Sequence, residues 1–304
     1  MDRKLLGAVL AAGIMLVSLG AWGAEKYIVA SDIPWAPFEM VNEATGNFLG
    51  FDLDLMRAIA HVAGFEIEIR NIAFDAIIEN VRTGRADIGA SGFTITEERE
   101  RKVDFAIPYF LSNQAVVVRK DSGLNIVTAL AGMGPAKAVG AQNGTTGFYW
   151  VEDNIQGAGI DVALKGYETY PAAILDLVNG RVDAVIQDEP ASMASIAAYP
   201  DKLAIAGIIN TNEYFGFLVA EGDPKGLLPR INQALNELGL TVRELPGGIK
   251  ELVIAEGSFI AGLQEIYFGP DLNAVTAAWE ECKDLLLGGD LDGYIQCMKD
   301  KLGL

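Results

Sequence analysis

Two hydroxyl side chains and one guanidinium group lie within a short stretch of the first third of the sequence. Ser91, Gly92 and Thr94 come together, and Arg99 follows five residues after the threonine. A guanidinium fork donates two parallel hydrogen bonds to a carboxylate, and hydroxyl groups and open backbone amides add further donors. The cluster therefore indicates a site for a small carboxylate. Spacing alone leaves a second interpretation open, in which Arg99 is a solvated helix residue among the charged residues 97–101.

The flanking sequence predicts the elements that position this cluster. Apolar residues at helical spacing from Ile77 to Val81 predict a helix that ends at Gly84. The mostly apolar run 86–90 is typical of a buried strand, so the cluster follows the carboxyl end of that strand. Thr96 can cap a second helix that carries Arg99 in its first turn. Ligands bind beyond the carboxyl ends of strands in open α/β sheets, which favours a binding site here.

A second strand end repeats this arrangement later in the chain. Residues 180–186 (Gly-Arg-Val-Asp-Ala-Val-Ile) repeat residues 84–90 (Gly-Arg-Ala-Asp-Ile-Gly-Ala) at an offset of 96. Asp188 then occupies nearly the same strand-end position as Ser91, where its carboxylate would complement an ammonium group. The repeat favours two α/β units with facing strand ends. Chance, or the sequence pattern that helix–glycine–strand units generally share, also explains so short a repeat. From the residues alone, Asp188 is equally a helix cap.

The segment Gly84–Tyr109 resembles the core signature of the family 3 extracellular solute-binding proteins, the polar amino acid receptors of ABC importers. Asp32–Glu39 and Gly50–Met56 resemble two further motifs of that family, and the resemblance extends over about residues 26–240. We read Asp52 and Asp54 in the second motif as structural residues that start a helix.

The resemblance implies a role for each candidate residue at the site. The family pattern sets the ligand's α-carboxylate against the first cluster and against the Gly-Thr-rich loop at 144–147, which is otherwise an ordinary turn. It sets the α-amino group against Asp188. Residues of the loop after the first strand, with Gln142 and an aromatic wall, would face the ligand's side chain. The implied ligand-binding set is Asp32, Trp35, Phe74, Ser91, Gly92, Thr94, Arg99, Gln142, Thr145, Thr146 and Asp188.

Two members of this set limit what can be expected of the side-chain pocket. Phe74 stands where the family often carries tryptophan, so the aromatic wall is kept but the indole donor is lost. Trp35 can also be explained by packing on its loop. Asp32 and Gln142, beside these aromatic residues, favour a polar or cationic ligand side chain over an acidic one.

The fold implied by the resemblance is α/β, a two-lobed type II periplasmic-binding-protein fold. We expect lobe 1 to comprise residues 24–114 and 214–269, and lobe 2 to comprise residues 115–213. The run Gln114–Arg119 is predicted to pair with Tyr214–Ala220 as a two-strand hinge. Thr241–Glu256 interrupts the resemblance as an insertion, and residues 270–304 read as a helical C-terminal extension.

The extension predicts a helical hairpin that contains both cysteines. Two apolar helical patterns are joined at Gly288–Gly289, with Cys282 seven residues before Gly289 and Cys297 seven residues after Asp290. Antiparallel helices would set the two thiols opposite each other, which favours a disulfide in an oxidising compartment. Two buried free thiols are the alternative.

Composition excludes several classes of function. The 304 residues have a formal charge of −18 and no basic run, which argues against nucleic acid as a partner. His61 is the only histidine, so a histidine-based catalytic triad or a multi-histidine metal site is not expected. No phosphate-binding glycine loop is present either. We therefore expect no catalytic residue, no metal and no cofactor.

The N-terminus predicts export. A charged start at residues 1–4, an apolar run at 5–19 and small residues before Ala24 are typical of a secretory signal peptide over residues 1–23. A retained N-terminal anchor is the alternative. No cysteine lies near the cleavage site, so a lipoprotein is not expected. The sequence predicts a periplasmic monomer.

The favoured function is a binding protein that closes over an L-amino acid and delivers it to the permease subunits of an ABC importer. An enzyme of the cyclohexadienyl dehydratase type resembles the same family and would need a cleft acid or base, for which Glu39 and Glu189 are the candidates. A ligand sensor that acts through a membrane receptor would have a similar sequence.

Overall fold

The structure of the protein is a computed structural model, which describes residues 24–130, 137–269 and 271–304. The predicted signal peptide lies outside the described residues. Among the described residues, none of the helices combines the length and the apolar character that crossing a membrane requires.

Short strands and helices alternate along the chain. The strands are β1 Lys26–Ser31, β2 Met40–Val41, β3 Phe48–Leu49, β4 Glu66–Asn71, β5 Ile88–Gly89, β6 Val103–Phe105, β7 Phe110–Arg119, β8 Ala138–Gln142, β9 Ala163–Tyr167, β10 Ala184–Asp188, β11 Leu203–Phe215, β12 Leu218–Ala220, β13 Leu240–Glu244 and β14 Lys250–Ile254. The helices are α1 Phe51–Ala63, α2 Phe74–Arg82, α3 Glu97–Glu100, α4 Ile126–Leu130, α5 Thr146–Val151, α6 Tyr170–Val178, α7 Glu189–Ala198, α8 Leu227–Glu237, α9 Phe259–Phe268, α10 Leu272–Gly288 and α11 Leu291–Leu302.

Two five-stranded sheets form the cores of two lobes, as the fold class predicts. The first lobe has the strand order β4-β1-β5-β12-β6, and the second has β11-β7-β10-β8-β9. In each sheet one inner strand, β1 in the first and β8 in the second, has parallel neighbours on both sides, so several strands end at one edge. The residue boundaries of the lobes stay a prediction.

The repeated sequence forms the same structural unit in both lobes. Gly84 and Gly180 have left-handed φ values of 71° and 72°, which glycine adopts without strain, and each leads from a helix toward a strand. Asp87 accepts a hydrogen bond from the amide of Ile28 at 2.7 Å, and Asp183 accepts one from Ala138 at 3.0 Å. The repeated aspartate therefore joins its segment to the neighbouring parallel strand, which is a structural role.

Two long strands, β7 and β11, connect the lobes. Residues 114–119 of β7 pair with residues 203–209 of β11 inside the second lobe, and residues 110–112 pair with 213–215 at the crossing. The predicted pairing of Gln114–Arg119 with Tyr214–Ala220 is therefore wrong in its partner. Strand β11 ends just before Gly216, and β12 then joins the first sheet between β5 and β6. The predicted insertion folds as the antiparallel hairpin β13–β14.

The C-terminal extension is a helical hairpin attached to the first lobe. Cys282 and Cys297 form a disulfide between α10 and α11. The fully buried carboxylate of Asp54 in α1 accepts hydrogen bonds from Trp279 Nε1 at 3.0 Å and Tyr294 Oη at 2.6 Å. Glu280 binds the turn between β2 and β3 through its carboxylate. Asp54 thus has the structural role that the sequence analysis gives it.

Candidate functional site

A cavity lies where the strand ends of the two lobes face each other. All eleven residues of the predicted ligand-binding set line it, and Tyr170 lines it as well. The members lie at the ends of four strands (β1, β5, β8 and β10) and at the starts of three helices (α2, α3 and α5), so the fold brings together residues that are up to 156 positions apart. The sequence analysis missed Tyr170, which begins α6 just after the end of β9.

Arg99 is held at the cavity by contacts to both lobes. Thr96 caps α3 and accepts a hydrogen bond from the backbone amide of Arg99 at 3.2 Å, so the side chain leaves the first turn toward the cavity. Its Nη1 donates to the carbonyl of Thr94 at 2.8 Å, and its Nη2 donates to the carbonyl of Gly144 in the second lobe at 3.0 Å. The side chain is buried, so the interpretation of Arg99 as a solvated surface residue is wrong.

Aromatic rings shield this guanidinium from water. The Cζ atom of Arg99 lies 5.4 Å from the ring centroid of Phe74 and 5.2 Å from that of Phe93, and the two rings stack at 4.5 Å. Burial lowers the pKa of Arg99 from its ordinary value, and the nearby carboxylates of Glu213 and Asp188 oppose that shift. An arginine remains charged under such a shift, so the cavity contains a desolvated cation. Among the described residues, no carboxylate lies within hydrogen-bond distance of this guanidinium.

Gly92 is required by its contact with Trp35. Its φ is 53°, and a Cβ atom at this position would lie 2.3 Å from Cζ3 of the indole. The buried carboxylate of Asp52 accepts the amide of Gly92 at 2.8 Å and the hydroxyl of Tyr109 at 2.6 Å. Burial raises the pKa of Asp52 to about 6. Asp52 therefore supports the loop beneath the cavity, which matches the structural role predicted for it.

Asp32 and Gln142 form a hydrogen bond across the lobes at one end of the cavity. Gln142 Nε2 donates to Asp32 Oδ2 at 2.5 Å and to the carbonyl of Glu168 at 2.7 Å. The amide of Asp32 donates to Ser91 Oγ at 3.1 Å, which connects the two strand-end loops of the first lobe. Burial raises the pKa of Asp32 to about 6, and the bond from Gln142 opposes the rise. A cation at this carboxylate would favour its ionised form.

The helix start at α5 supplies the two threonines of the second lobe. Thr145 caps α5, and its hydroxyl also donates to the carbonyl of Gln142 at 2.8 Å and accepts from Tyr170 Oη at 3.1 Å. These contacts use the hydroxyl of Thr145 inside the protein. The hydroxyl of Thr146 lies 2.5 Å from Glu213 Oε2.

Asp188 lies opposite Arg99 in the second lobe, at the end of β10. It is the N-cap residue of α7 by position, as the helix-cap interpretation has it, but its side chain makes no capping hydrogen bond. Its Oδ1 is buried and has no hydrogen-bond partner among the described residues. Burial raises the pKa of Asp188 well above its ordinary value, and the carboxylate of Glu213 raises it further. Such an acceptor is suited to a cationic donor.

The two acid–base candidates for a dehydratase lie elsewhere. Glu39 is fully buried, and neither carboxyl oxygen has a hydrogen-bond partner in the described chain. Burial raises its pKa well above the ordinary value, and Asp52 raises it further. Glu189 begins α7, and neither glutamate is among the residues that line the cavity. Within the described residues, no cluster of histidine, cysteine, aspartate or glutamate could hold a metal ion.

The fold and this cavity are those of the two-lobed binding proteins. The family profile of the bacterial extracellular solute-binding proteins, family 3, matches residues 27–241. The chain belongs to that family.

Its relatives are binding proteins for amino acids. ABC transporter arginine-binding protein 1 of Escherichia coli K12 is 32% identical over 230 residues, which cover 75% of this chain and 90% of that protein. A probable histidine-binding protein of Neisseria gonorrhoeae is 30% identical over 258 residues, with coverages of 78% and 91%. The solved structure of holo ArgBP from T. maritima has a TM-score of 0.63 at 36% identity and covers 70% of this chain and 90% of that one. The chain is thus an amino acid-binding protein and not an enzyme.

Proposed function

We propose that this protein holds an L-amino acid with a cationic side chain, L-arginine first among them, and delivers it to the permease of an ABC importer. One observation carries the proposal. A single cavity contains a buried cation, Arg99, from one lobe, a buried acid, Asp188, from the other, and a second acid, Asp32, at a further corner. These three charges complement the carboxylate, the α-ammonium and the side chain of one ligand.

The carboxylate would lie against Arg99. The guanidinium is desolvated and held on both sides, so a ligand carboxylate would meet it without rearrangement. Backbone amides of Ser91 and Thr146 are the further donors at this end, because the hydroxyl and the amide of Thr145 are used inside the protein. The α-ammonium would pair with Asp188, whose ionised form it would stabilise.

The side chain would extend toward Asp32 and Gln142 between aromatic rings. Trp35 and Tyr170 stack across the lobes with centroids 6.4 Å apart, and Phe74 supplies a further wall. Aromatic faces attract cations, and Asp32 offers a carboxylate for a guanidinium or ammonium group. Relatives whose names state arginine or histidine as their ligand support a side chain of this class.

Contacts from both lobes would couple binding to closure. Arg99 and Asp32 lie in the first lobe, whereas Asp188 and Gln142 lie in the second. A ligand that touches all four interacts with the closed arrangement more strongly than with an open one, and this difference stabilises closure. We infer that the exported protein acts as a periplasmic monomer after removal of residues 1–23, without lipid attachment, catalytic residue, metal or cofactor.

A thermal-shift screen of the refolded protein tests the ligand. We expect L-arginine, L-lysine and L-ornithine to raise the melting temperature most, since a ligand at 100 times its Kd adds about 2.7 kcal/mol of stability. Arg99→Ala should abolish the shift, because a buried ligand carboxylate would lack its partner. Arg101→Ala is the matched control at the C-cap of the same helix, since its side chain is 72% exposed.

Two other results would change the conclusion. No response to any amino acid would refute the proposal, and a shift with prephenate alone would favour the dehydratase. Transport separates the importer from the sensor: uptake of labelled arginine into cells that lack this protein should fall, whereas loss of a sensor would leave uptake unchanged.

A further inference from the structure

Glu213 is a buried acid beside the cavity that the proposed ligand contacts do not use. It lies on β11 at the crossing between the lobes, where it pairs with Ser112 of β7. Its side chain accepts three hydrogen bonds: Oε2 from Thr94 Oγ1 at 2.7 Å and from Thr146 Oγ1 at 2.5 Å, and Oε1 from Gln114 Nε2 at 3.1 Å. One carboxylate oxygen thus binds a threonine of each lobe.

These bonds fix the direction of both threonine hydroxyl groups. A hydroxyl has one proton and two lone pairs, and a carboxylate can only accept. The protons of Thr94 and Thr146 therefore point at Glu213. Thr146 Oγ1 also faces Gln114 Nε2 at 3.4 Å, which agrees with an oxygen whose own proton is directed elsewhere. Toward the cavity, both hydroxyl groups present lone pairs only.

Lone pairs at this place suit one end of an amino acid and not the other. Both threonines line the cavity together with Asp188, and the charge of Glu213 is near enough to raise the pKa of that aspartate. A ligand ammonium has three protons to donate and would find acceptors in Asp188 and the hydroxyl oxygens. A ligand carboxylate has no proton to donate, so it would find no hydroxyl donor here and would be left to Arg99 and to backbone amides.

We infer that Glu213 is a positioning residue that orients the hydroxyl groups of Thr94 and Thr146 as acceptors and thereby selects the α-ammonium end of the ligand. The inference rests on the proposed function and deepens it. It also changes the expectation for these two threonines, whose hydroxyl groups would serve the ammonium and leave the carboxylate to Arg99 and backbone amides.

Two ligands that differ only in the ammonium group test this role. L-arginine has the group, and 5-guanidinopentanoate, its desamino analogue, lacks it. Glu213→Met has the same length without an acceptor, so the hydroxyl protons are free to turn into the cavity. We expect Glu213→Met to weaken L-arginine at least tenfold in calorimetry and to change the Kd of the analogue less than threefold. Glu244→Gln, at an exposed position of β13, is the control for loss of a charge.

The conservative variant tests orientation against charge. In Glu213→Gln the amide oxygen can accept from both threonines, and its NH₂ replaces the oxygen that accepts from Gln114 Nε2. The Gln114 amide would then turn to present Oε1, which has no hydrogen-bond partner in the described chain, as the acceptor for this NH₂. We expect Glu213→Gln to recover much of the arginine affinity lost in Glu213→Met. Equal losses for both ligands, or no recovery in a folded Glu213→Gln protein, would overturn the inference.

A second measurement does not depend on any variant. Neutron diffraction from wild-type crystals grown with L-arginine should show the deuterons of Thr94 and Thr146 directed at Glu213 Oε2, and deuterons directed at the ligand would overturn the inference. If wild-type protein binds no amino acid, the proposed function fails and the inference fails with it. Wild-type binding with unselective variants refutes the role of Glu213 alone.

Discussion

The affinity for L-arginine should depend on pH through Asp32. Its pKa is raised to about 6 because the side chain is largely buried, although the bond from Gln142 opposes the rise. A guanidinium group at this carboxylate requires the ionised form, so binding releases the proton that Asp32 carries at lower pH. Affinity should therefore rise with pH up to about 6 and remain level above it.

The size of the effect follows from the ionised fraction. With a pKa of about 6, roughly one tenth of the Asp32 carboxyl is ionised at pH 5, so arginine should bind about tenfold more weakly there than at pH 7.5. Each further pH unit below 5 should cost about another tenfold, which corresponds to about 1.4 kcal/mol. The raised pKa of Asp188 adds its own pH dependence to the binding of every amino acid.

Citrulline separates the two carboxyl groups. It has the α-carboxylate and α-ammonium of arginine but a neutral ureido group, so the contribution of Asp188 cancels in the ratio of the two dissociation constants. Isothermal titration from pH 4.5 to pH 7.5 should show this ratio, citrulline over arginine, rising about tenfold between pH 5 and its plateau. In Asp32→Asn the ratio should be small and independent of pH. A ratio that is flat in the wild-type protein would refute the assignment of Asp32 to the cation.

Two predictions concern stability. The buried carboxyl of Glu39 has a raised pKa, so the stability that it contributes is present below its ordinary pKa of 4.5 and is lost as the pH rises. In urea denaturation, Glu39→Gln should therefore add up to about 3 kcal/mol to the unfolding free energy at pH 7 and nothing at pH 4. An equal gain at both pH values would contradict this. Replacing Cys282 and Cys297 by serine should lower the unfolding free energy by about 3 kcal/mol, as expected for a separation of 15 residues. The arginine affinity should stay within twofold, and loss of binding would show that the extension supports the cavity.

The ends of buried strands made part of the cavity predictable, and the family resemblance supplied the rest. Ser91 and Asp188 follow apolar runs that end in polar residues, and in an α/β sheet such positions gather at one edge. Arg99 was predicted through its helix cap, Thr96, which is a local signal. Tyr170 carried no comparable signal, because an aromatic residue before a proline reads equally as the start of a buried helix.

Long-range pairing explains what the sequence did not predict. The β-branched run Gln114–Arg119 was recognised as a strand, but periodicity does not specify its partner, and most of it pairs with residues 203–209 inside the second lobe. Glu213 was missed for a related reason. A glutamate in a strand near a turn usually faces solvent, and here the crossing of two strands places it beneath threonines from both lobes.

The C-terminal hairpin provides a position for a label that reports movement of the lobes. Its hydrogen bonds to the rest of the described chain end in the first lobe or in α9, and the last residue, Leu304, is 54% exposed. A fluorophore attached after Leu304 would therefore move with the first lobe, because the disulfide restrains the helical hairpin that carries it. A second fluorophore at the exposed position 154 would move with the other lobe. Energy transfer between the two labels would then measure any change in the distance between the lobes when an amino acid is added.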